Sequence, residues 1–294
     1  MYEFGTTIEK IRFMKNISVR VLVDGIMSIS QYSRYKTGQN SLSVSKLFAL
    51  IDRLNVTFEE FMFIHEKTDP NSFKHLQDQL MKAFSEKDIV SLRQIAEQAQ
   101  SQFEQTTTLK NQQLAITADL LATRIKQEPF SSQQKMNIHT LSLYLFNLNM
   151  WTHYDIVLFN NNIYAFSNED RQLFSKNILK NLKNYKEYIQ NKSEYVFFIA
   201  NLLVIAINTH QYRQVSEYID ILNNLKLDPM LTTEKLIITF FKGVQEYLEK
   251  PGKPLDTCLM VLDIIKKLEL TQLQLKLGNV VDVLKQNTDA SSTN

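Results

Sequence analysis

Hydrophobic residues recur at three- and four-residue spacings along most of this chain, which is typical of amphipathic helices. Near the N-terminus the pattern runs in short segments, whose apolar positions include Ile8, Ile11, Val19, Leu22 and Val23. Further along it runs in segments of roughly 15 to 22 residues, longer than the mean of about 11 to 12 for helices in globular proteins. The pattern therefore predicts short helices first and long helices afterwards.

Glycine is scarce where the long helical patterns lie. The chain has six glycines, and none lies between Gly38 and Gly243. A β-rich or α/β fold needs glycine at its turns and phosphate-binding loops, so this interval predicts helices joined by short polar turns. Paired long helices stack into α-solenoids, whose curvature creates an extended concave groove. We therefore expect an all-α fold.

The segment from Ser28 to Gly38 has the pattern of the recognition helix of a helix-turn-helix. Ser30 can cap the helix by accepting a hydrogen bond from a free backbone N–H. Gln31 and Arg34 lie three residues apart and share one helix face. In such proteins the first turn of this helix enters the major groove, where Gln pairs with adenine and Arg pairs with guanine. The segment predicts DNA binding.

The other positions of this segment fit a helix held against a scaffold. Tyr32 and Tyr35 lie three residues apart on a neighbouring face, and we interpret them as packing against the preceding helix. Gly38 can end the helix, because glycine adopts the left-handed conformation without a steric penalty.

Positive charge is concentrated at this end of the chain. Residues 1 to 50 carry seven Lys or Arg against three acids, whereas the whole chain has a formal net charge of only +2. Basic side chains meet DNA phosphates, although a solvated basic face would have the same composition. The candidate DNA-binding residues are Arg12, Lys15 and Lys36 for phosphates, Gln31, Ser33 and Arg34 for bases, and Ser28 and Ser30 beside them.

Composition sets the remaining limits. No apolar run approaches the roughly 18 to 20 residues of a transmembrane helix. Met1 to Gly5 show neither the basic n-region nor the apolar h-region of a secretion signal. The single cysteine, Cys258, is expected to be a small buried residue, with redox sensing as the alternative. We expect a cytoplasmic protein with a helix-turn-helix domain at 1–67, a linker at 68–72, a helical-repeat domain at 73–286 and a disordered tail at 287–294.

Two sets of positions together resemble the Rgg family, also called GadR/MutR, of transcription regulators. The first combines the segment Ser28 to Gly38 with the later segment Leu54 to Phe61. The second is the stretch from Tyr144 to Asn161, in which Trp151 and Tyr154 stand in a Trp-x-x-Tyr element. The resemblance covers about residues 5 to 285. It implies an XRE/lambda-repressor-like helix-turn-helix domain followed by a tetratricopeptide-like α-solenoid.

The resemblance also implies partners. Such regulators bind double-stranded promoter DNA, form homodimers, act with RNA polymerase as a further partner, and bind a short signalling peptide in the concave groove.

Two positions depart from the family. Lys36 stands where members commonly have Glu, which implies that the orienting effect of that carboxylate on the neighbouring Arg is either absent or replaced by a direct phosphate contact. Val44 stands where some relatives have a disulfide-forming Cys, so dimerisation must be noncovalent.

Peptide-binding candidates follow from the chemistry of an extended peptide, whose N–H and C=O groups pair well with amides. Asn201 is the strongest candidate because it interrupts an apolar helix, and its alternative role is a hydrogen bond to a carbonyl of another helix. The further candidates are Asn147, Asn208, Tyr212 and Arg213. For Tyr212 and Trp151 we favour packing in the repeat core, and Arg213 meets either an acidic peptide group or solvent.

Catalytic chemistry finds little support in the sequence. The five histidines show no His-x-x-x-His spacing and no Cys partner suited to zinc, so we expect no enzyme activity, metal or cofactor. Two alternatives to a peptide-responsive regulator stay open. One is a helical-repeat protein that sequesters a partner protein, and the other is a DNA-binding regulator that senses a small metabolite.

Overall fold

The structure, a computed structural model, describes residues 4–66, 72–184, 192–249 and 254–291. These residues form sixteen α-helices and contain no β-strand, which confirms the all-α prediction. The chain divides into two compact units, Met1–Ala118 and Asp119–Asn294, and the division falls inside the eighth helix. The linker at 68–72 lies outside the described residues except for Ser72, so its position stays a prediction.

Five short helices make up the N-terminal part of the first unit: α1 (Phe4–Met14), α2 (Val19–Val23), α3 (Ile29–Lys36), α4 (Val44–Arg53) and α5 (Phe58–Glu66). α1 contacts α3 and α5, whereas α4 contacts α2 and α5. They enclose one hydrophobic cluster, in which Ile8, Leu22, Leu50 and Phe61 are fully buried. α2 and α3 form the helix-turn-helix.

Serine side chains begin three of these helices. Ser18, Ser28 and Ser43 each accept a hydrogen bond from the backbone N–H three residues further on, over 3.1 to 3.4 Å. The prediction that Ser30 caps α3 is wrong, because Ser28 is the N-cap and Ser30 lies inside the first turn. Ser28 has the extended backbone that an N-cap requires, whereas Ser30 is already helical.

Two glycines shape the N-terminal helices: Gly38 allows α3 to end, and Gly5 allows α1 to pack closely against α3. Gly38 has a φ of 73° and follows the last turn of α3, which confirms the predicted left-handed end. Gly5 lies where α1 crosses α3. A Cβ atom at Gly5 would stand 2.6 Å from both the Cα of Lys36 and the carbonyl oxygen of Tyr35. The backbones of the two helices therefore touch at this point.

Eleven further helices follow among the described residues, and most are long, as the sequence predicts. They are α6 (Phe73–Ser85), α7 (Ile89–Thr106), α8 (Leu109–Lys126), α9 (Ser132–Phe146), α10 (His153–Asn162), α11 (Asn168–Asn184), α12 (Lys192–Asn208), α13 (Tyr212–Asn223), α14 (Thr232–Glu249), α15 (Asp256–Lys267) and α16 (Thr271–Ser291). Consecutive helices pair as α6 with α7, α12 with α13 and α14 with α15. This is the tetratricopeptide-like α-solenoid.

α12 is the central helix of the second unit, since it contacts α10, α13, α14 and α16. Beside it lies an aromatic cluster in which ring centroids stand 5.6 to 6.0 Å apart: Trp151, Phe159, Phe166, Phe174 and Phe198. Trp151 is buried in this cluster, so its predicted packing role is confirmed. Edge-to-face and offset pairs of this kind add to the stabilisation that burial provides.

The C-terminal helix is longer than the sequence suggests. The predicted disordered tail began at residue 287, whereas α16 continues to Ser291. The helix can continue because neither glycine nor proline interrupts the chain after Gly278. Residues 292–294 lie outside the described residues. Within the described part of the chain, no helix is both long and apolar enough to span a membrane.

Candidate DNA-binding and ligand-binding surfaces

α3 presents one face to the core and another to solvent. Tyr32 and Tyr35 are buried in the hydrophobic cluster, as the sequence predicts. The side chains of Ser30, Ser33 and Arg34 are exposed on the opposite side. Gln31 is only partly exposed, and its backbone N–H donates to the Ser28 hydroxyl. The structure therefore brings three of the predicted base-reading or neighbouring side chains to one solvent-facing surface.

Glu9 on α1 organises the polar groups behind α3. Its carboxylate accepts two hydrogen bonds from the Arg12 guanidinium, each 2.8 Å long, and one of 2.7 Å from the Tyr32 hydroxyl. The Lys36 ammonium lies 3.4 Å from the same carboxylate. We call these four side chains the Glu9 cluster. It ties α1 to the middle and to the C-terminal end of α3.

The electrostatics of the Glu9 cluster follow from these contacts. Hydrogen bonding from Arg12 is the largest influence on Glu9, and Tyr32 and Lys36 add to it against the opposing effect of burial. Together they lower the pKa of Glu9 from 4.5 to about 2. Burial, followed by the hydrogen bond to Glu9, raises the pKa of Tyr32. The cluster therefore keeps an ionised carboxylate and a neutral phenol together under α3.

Three predicted phosphate ligands have internal partners in the structure. Arg12 is engaged by Glu9 and also donates to the carbonyl oxygen of Ile17 over 2.6 Å. Lys36 belongs to the Glu9 cluster, and its phosphate contact stays a prediction. The Lys15 ammonium donates to the carbonyl oxygen of Asn55 over 2.8 Å. In the structure, these three basic side chains make contacts within the N-terminal helices.

Other basic side chains at this end face solvent. Arg20 lies in the first turn of α2, and Lys10 lies on α1, and both are exposed. In the sequence they contribute only to the charge balance, because neither belongs to the recognition-helix pattern.

Asn201 connects three helices of the second unit. Its amide donates to the side-chain oxygen of Asn160 on α10, and its oxygen accepts a hydrogen bond from the Lys276 ammonium on α16. Asn201 is partly buried. The alternative role considered for this residue, a hydrogen bond between helices, is present, although the partners are side chains and no backbone carbonyl is among them.

Two cationic groups approach each other beside Asn201. Burial, together with repulsion from Arg124, lowers the pKa of Lys276 to about 8. The Arg124 guanidinium lies 4.2 Å from the centroid of the Tyr164 ring, and desolvation lowers the pKa of Arg124. The Tyr164 hydroxyl is buried and has no hydrogen-bond partner among the described residues. No sequence pattern had drawn attention to Lys276, Arg124 or Tyr164.

The other predicted peptide ligands are separate from this group. Asn147 ends α9 and donates to its own helix at the carbonyl oxygen of Leu143 over 2.8 Å. Asn208 ends α12 on the surface. Arg213 is almost fully exposed and forms an ion pair of 3.5 Å within α13, as expected for a solvated charge. The favoured core role of Tyr212 is wrong: it begins α13 and is 39% exposed.

Cys258 is a buried structural residue. Its thiol donates to the carbonyl oxygen of Phe240 over 3.4 Å, and burial raises its pKa to about 12. A thiol with such a pKa is a poor nucleophile, which agrees with the predicted packing role. Elsewhere, the described residues contain no group of three or more His, Cys, Asp or Glu side chains that could hold a metal ion.

Comparison with known proteins identifies the family. The family model for the C-terminal domain of the HTH-type transcriptional regulator Rgg matches residues 92–278, which is more than half of the chain. The chain belongs to the Rgg family of transcription regulators. The match lies in the helical-repeat region, away from the recognition helix on which the sequence prediction first rested. The resemblance drawn from sequence patterns is thereby confirmed.

Solved structures share the fold over almost the whole chain. A protein from Listeria monocytogenes EGD-e, provisionally described as a transcriptional regulator, has a TM-score of 0.79 at 16% identity and covers 98% of this chain and 99% of its own. The SHP pheromone receptor Rgg2 of Streptococcus dysgalactiae has a TM-score of 0.70 at 23% identity, with coverage of 96% and 99%. PrgX in complex with iCF10 has a TM-score of 0.69 at 17% identity, with coverage of 98% for both chains.

These likenesses confirm the architecture of this Rgg-family protein. The helix-turn-helix and the helical-repeat arrangement match full-length chains. The DNA-binding and peptide-binding residues stay predictions.

Proposed function

We propose that this protein binds promoter DNA through α3 and responds to a short signalling peptide bound by its helical-repeat unit. The observation that carries the first half is the polar, solvent-facing side of α3, opposite two buried tyrosines, in a chain of the Rgg family. A helix held in this way can enter the major groove without losing its contacts to the core.

Base reading falls to the side chains on that face. The Arg34 guanidinium can donate two hydrogen bonds to guanine O6 and N7, and a Gln31 amide can pair with adenine. Ser30 and Ser33 are short enough to meet either a base edge or a phosphate. Arg34 is the strongest candidate because it is exposed, in the last turn of α3.

We assign Arg12 and Lys36 to positioning. Both act on Glu9, and Glu9 in turn holds the Tyr32 hydroxyl of the recognition helix. Arg20 is a better candidate for a phosphate contact, because it is exposed on α2 and the first helix of a helix-turn-helix crosses the DNA backbone. Lys15 can reach a phosphate only by giving up its bond to Asn55.

The peptide half of the proposal has support from chemistry and from relatives. Asn201 and Asn160 place amide groups on α12, the central helix of the second unit, and on the neighbouring α10. Amides pair with the N–H and C=O groups of an extended peptide. The fold matches that of a protein described as the SHP pheromone receptor Rgg2, that of PrgX in complex with iCF10, and that of a bacterial peptide pheromone/receptor complex.

The proposed assembly is a cytoplasmic homodimer that acts on promoters, with RNA polymerase as a further partner. Val44, 68% exposed at the start of α4, has no thiol, so the DNA-binding halves can meet only by noncovalent contacts at this position. The partly exposed rings of Phe48 and Phe58 lie 5.4 Å apart on α4 and α5 and offer an apolar surface for a second copy.

DNA binding can be measured by fluorescence anisotropy on the intergenic duplex beside the protein's own gene and on a random duplex of equal length. Arg34→Ala should lose about 1 to 3 kcal/mol of discrimination between them. Arg93→Ala, an exposed arginine on α7, is the matched control and should leave both affinities unchanged. Affinity for both duplexes should fall steeply with salt because phosphate contacts release counterions.

The outcomes separate the possible functions. Equal loss on both duplexes in Arg34→Ala would mean that Arg34 contacts phosphates and does not read bases. Failure of the wild-type protein to bind any duplex at low salt would contradict DNA binding and favour a helical-repeat protein that sequesters another protein.

A further inference from the structure

A chain of polar side chains runs between helices of the second unit. Lys276 on α16 donates to Asn201 on α12, and Asn201 donates to Asn160 on α10. On the other side, Lys276 is close enough to Arg124 for repulsion to act between them, and Arg124 lies against the Tyr164 ring. We call these five residues the Lys276 cluster. It joins α8, α10, α12 and α16, with Tyr164 just after α10.

The Lys276 ammonium is held by a neutral partner. Among the described residues, the polar partner of the Lys276 ammonium is the neutral oxygen of Asn201. The acidic side chain whose charge influences the Tyr164 hydroxyl is Asp119. The Asp119 carboxylate accepts a hydrogen bond of 2.9 Å from the Gln134 amide. A partly buried ammonium costs stability unless an anion meets it. The cluster therefore favours an anionic occupant.

A second feature points to an occupant at the same place. The Tyr164 hydroxyl is buried beside Arg124 and has no hydrogen-bond partner among the described residues. Buried hydroxyls without a partner are rare in folded proteins, because the lost hydrogen bond costs free energy. A ligand oxygen that lies next to both the Tyr164 hydroxyl and the edge of the Arg124 guanidinium would give both groups a partner.

We propose that the Lys276 cluster binds a carboxylate of the signalling peptide, with Lys276 and Arg124 as its cationic ligands, the Tyr164 hydroxyl as a donor, and Asn201 and Asn160 beside it for the peptide backbone. This assignment rests on the proposed peptide-binding function. The carboxylate belongs either to an Asp or Glu side chain or to the peptide's C-terminus, and the two sources share the same chemistry. Guanidinium and ammonium groups form strong, charge-assisted hydrogen bonds with carboxylates.

A synthetic mixture of hydrophobic heptapeptides of random sequence tests the proposal. It is prepared in three forms: amidated without acidic residues, amidated with one Asp or Glu, and acid-free with a free C-terminus. Full-length protein is incubated with each form, and the retained peptides are measured by mass spectrometry after size exclusion. We expect one carboxylate-bearing form to be retained at least about tenfold more than the amidated, acid-free form.

Two variants assign the effect to the Lys276 cluster. The Lys276→Gln variant should still retain peptides but should lose the preference for those with a carboxylate. The Lys276→Arg variant should keep that preference. Lys266→Gln, an exposed lysine on α15, is the matched control and should behave as the wild type. Which of the two carboxylate-bearing forms is preferred identifies the source of the carboxylate.

The results can overturn the two proposals separately. Peptides retained by the wild type without a carboxylate preference would overturn the role of the Lys276 cluster and leave peptide binding intact. A preference that survives in Lys276→Gln would overturn the assignment to Lys276. Retention of no peptide by the wild type would overturn both proposals.

Discussion

Replacement of Glu9 by glutamine tests how the recognition helix is held. The Glu9→Gln substitution would keep the shape of the side chain but remove the charge that Arg12, Tyr32 and Lys36 share. We expect this variant to loosen α1 and α3 together, because the Glu9 cluster connects them.

The size of this effect follows from the pKa. A decrease in the pKa of Glu9 from 4.5 to about 2 corresponds to about 3 kcal/mol at neutral pH. The Glu9 side chain is 29% exposed, so solvent screening reduces this value, and we expect about 2 kcal/mol. Because the folded-state pKa is lowered, the contribution is complete above pH 4.5 and is lost as the pH falls towards 2.

Hydrogen–deuterium exchange of the full-length protein can measure this difference locally. At pH 7, amides of α1 and α3 should exchange about 30-fold faster in Glu9→Gln than in the wild type, which corresponds to about 2 kcal/mol. At pH 3 the ratio should be far smaller. Glu59→Gln, an exposed acid at the start of α5, serves as the control. Equal exchange in the Glu9 and Glu59 variants would refute the reasoning.

Three further predictions concern other parts of the chain. Gly5→Ala should destabilise the N-terminal helices by more than about 2 kcal/mol, because its Cβ would meet backbone atoms at 2.6 Å, whereas Gly278→Ala, in open space on α16, should be neutral or stabilising; urea denaturation compares them. Arg34→Ala should retain wild-type thermal stability while it loses DNA discrimination, and a large drop in Tm would contradict a surface role. The Cys258 thiol should react with a disulfide reagent at pH 8 only after denaturation, and rapid reaction in the native protein would contradict its burial.

The sequence predicted local features well. Hydrophobic spacing and the lack of glycine between Gly38 and Gly243 predicted the all-α class, because both depend only on helix geometry and backbone freedom. Tyr32, Tyr35 and Gly38 took their predicted roles for the same reason. The N-cap was misplaced by two residues because Ser28 and Ser30 both suit a cap, and only the backbone conformation distinguishes them.

Features that depend on contacts between distant segments were missed. Glu9 and Arg12 are three residues apart and visible as a pair, but Tyr32 and Lys36 join them from another helix. Gly5 carries no turn signal, since its requirement comes from the backbone of α3.

The candidate peptide site shows the same division. Asn201 was found because an amide interrupts an apolar helix, and this signal is local. Lys276 and Arg124 look like ordinary basic residues in sequence, and only the fold brings them close enough for repulsion to act between them. Tyr212 was misjudged because its position at the start of α13 leaves its ring partly exposed.

The most direct test of the central claim is the effect of a peptide fraction on DNA affinity. Anisotropy of the labelled intergenic duplex is recorded with full-length protein, with and without the short-peptide fraction of spent culture medium. A peptide that binds two dimer arrangements unequally must shift DNA affinity, so we predict a reproducible change, in either direction, that protease treatment of the fraction abolishes. Specific DNA binding that no peptide fraction alters, at any concentration, would contradict a peptide-responsive regulator.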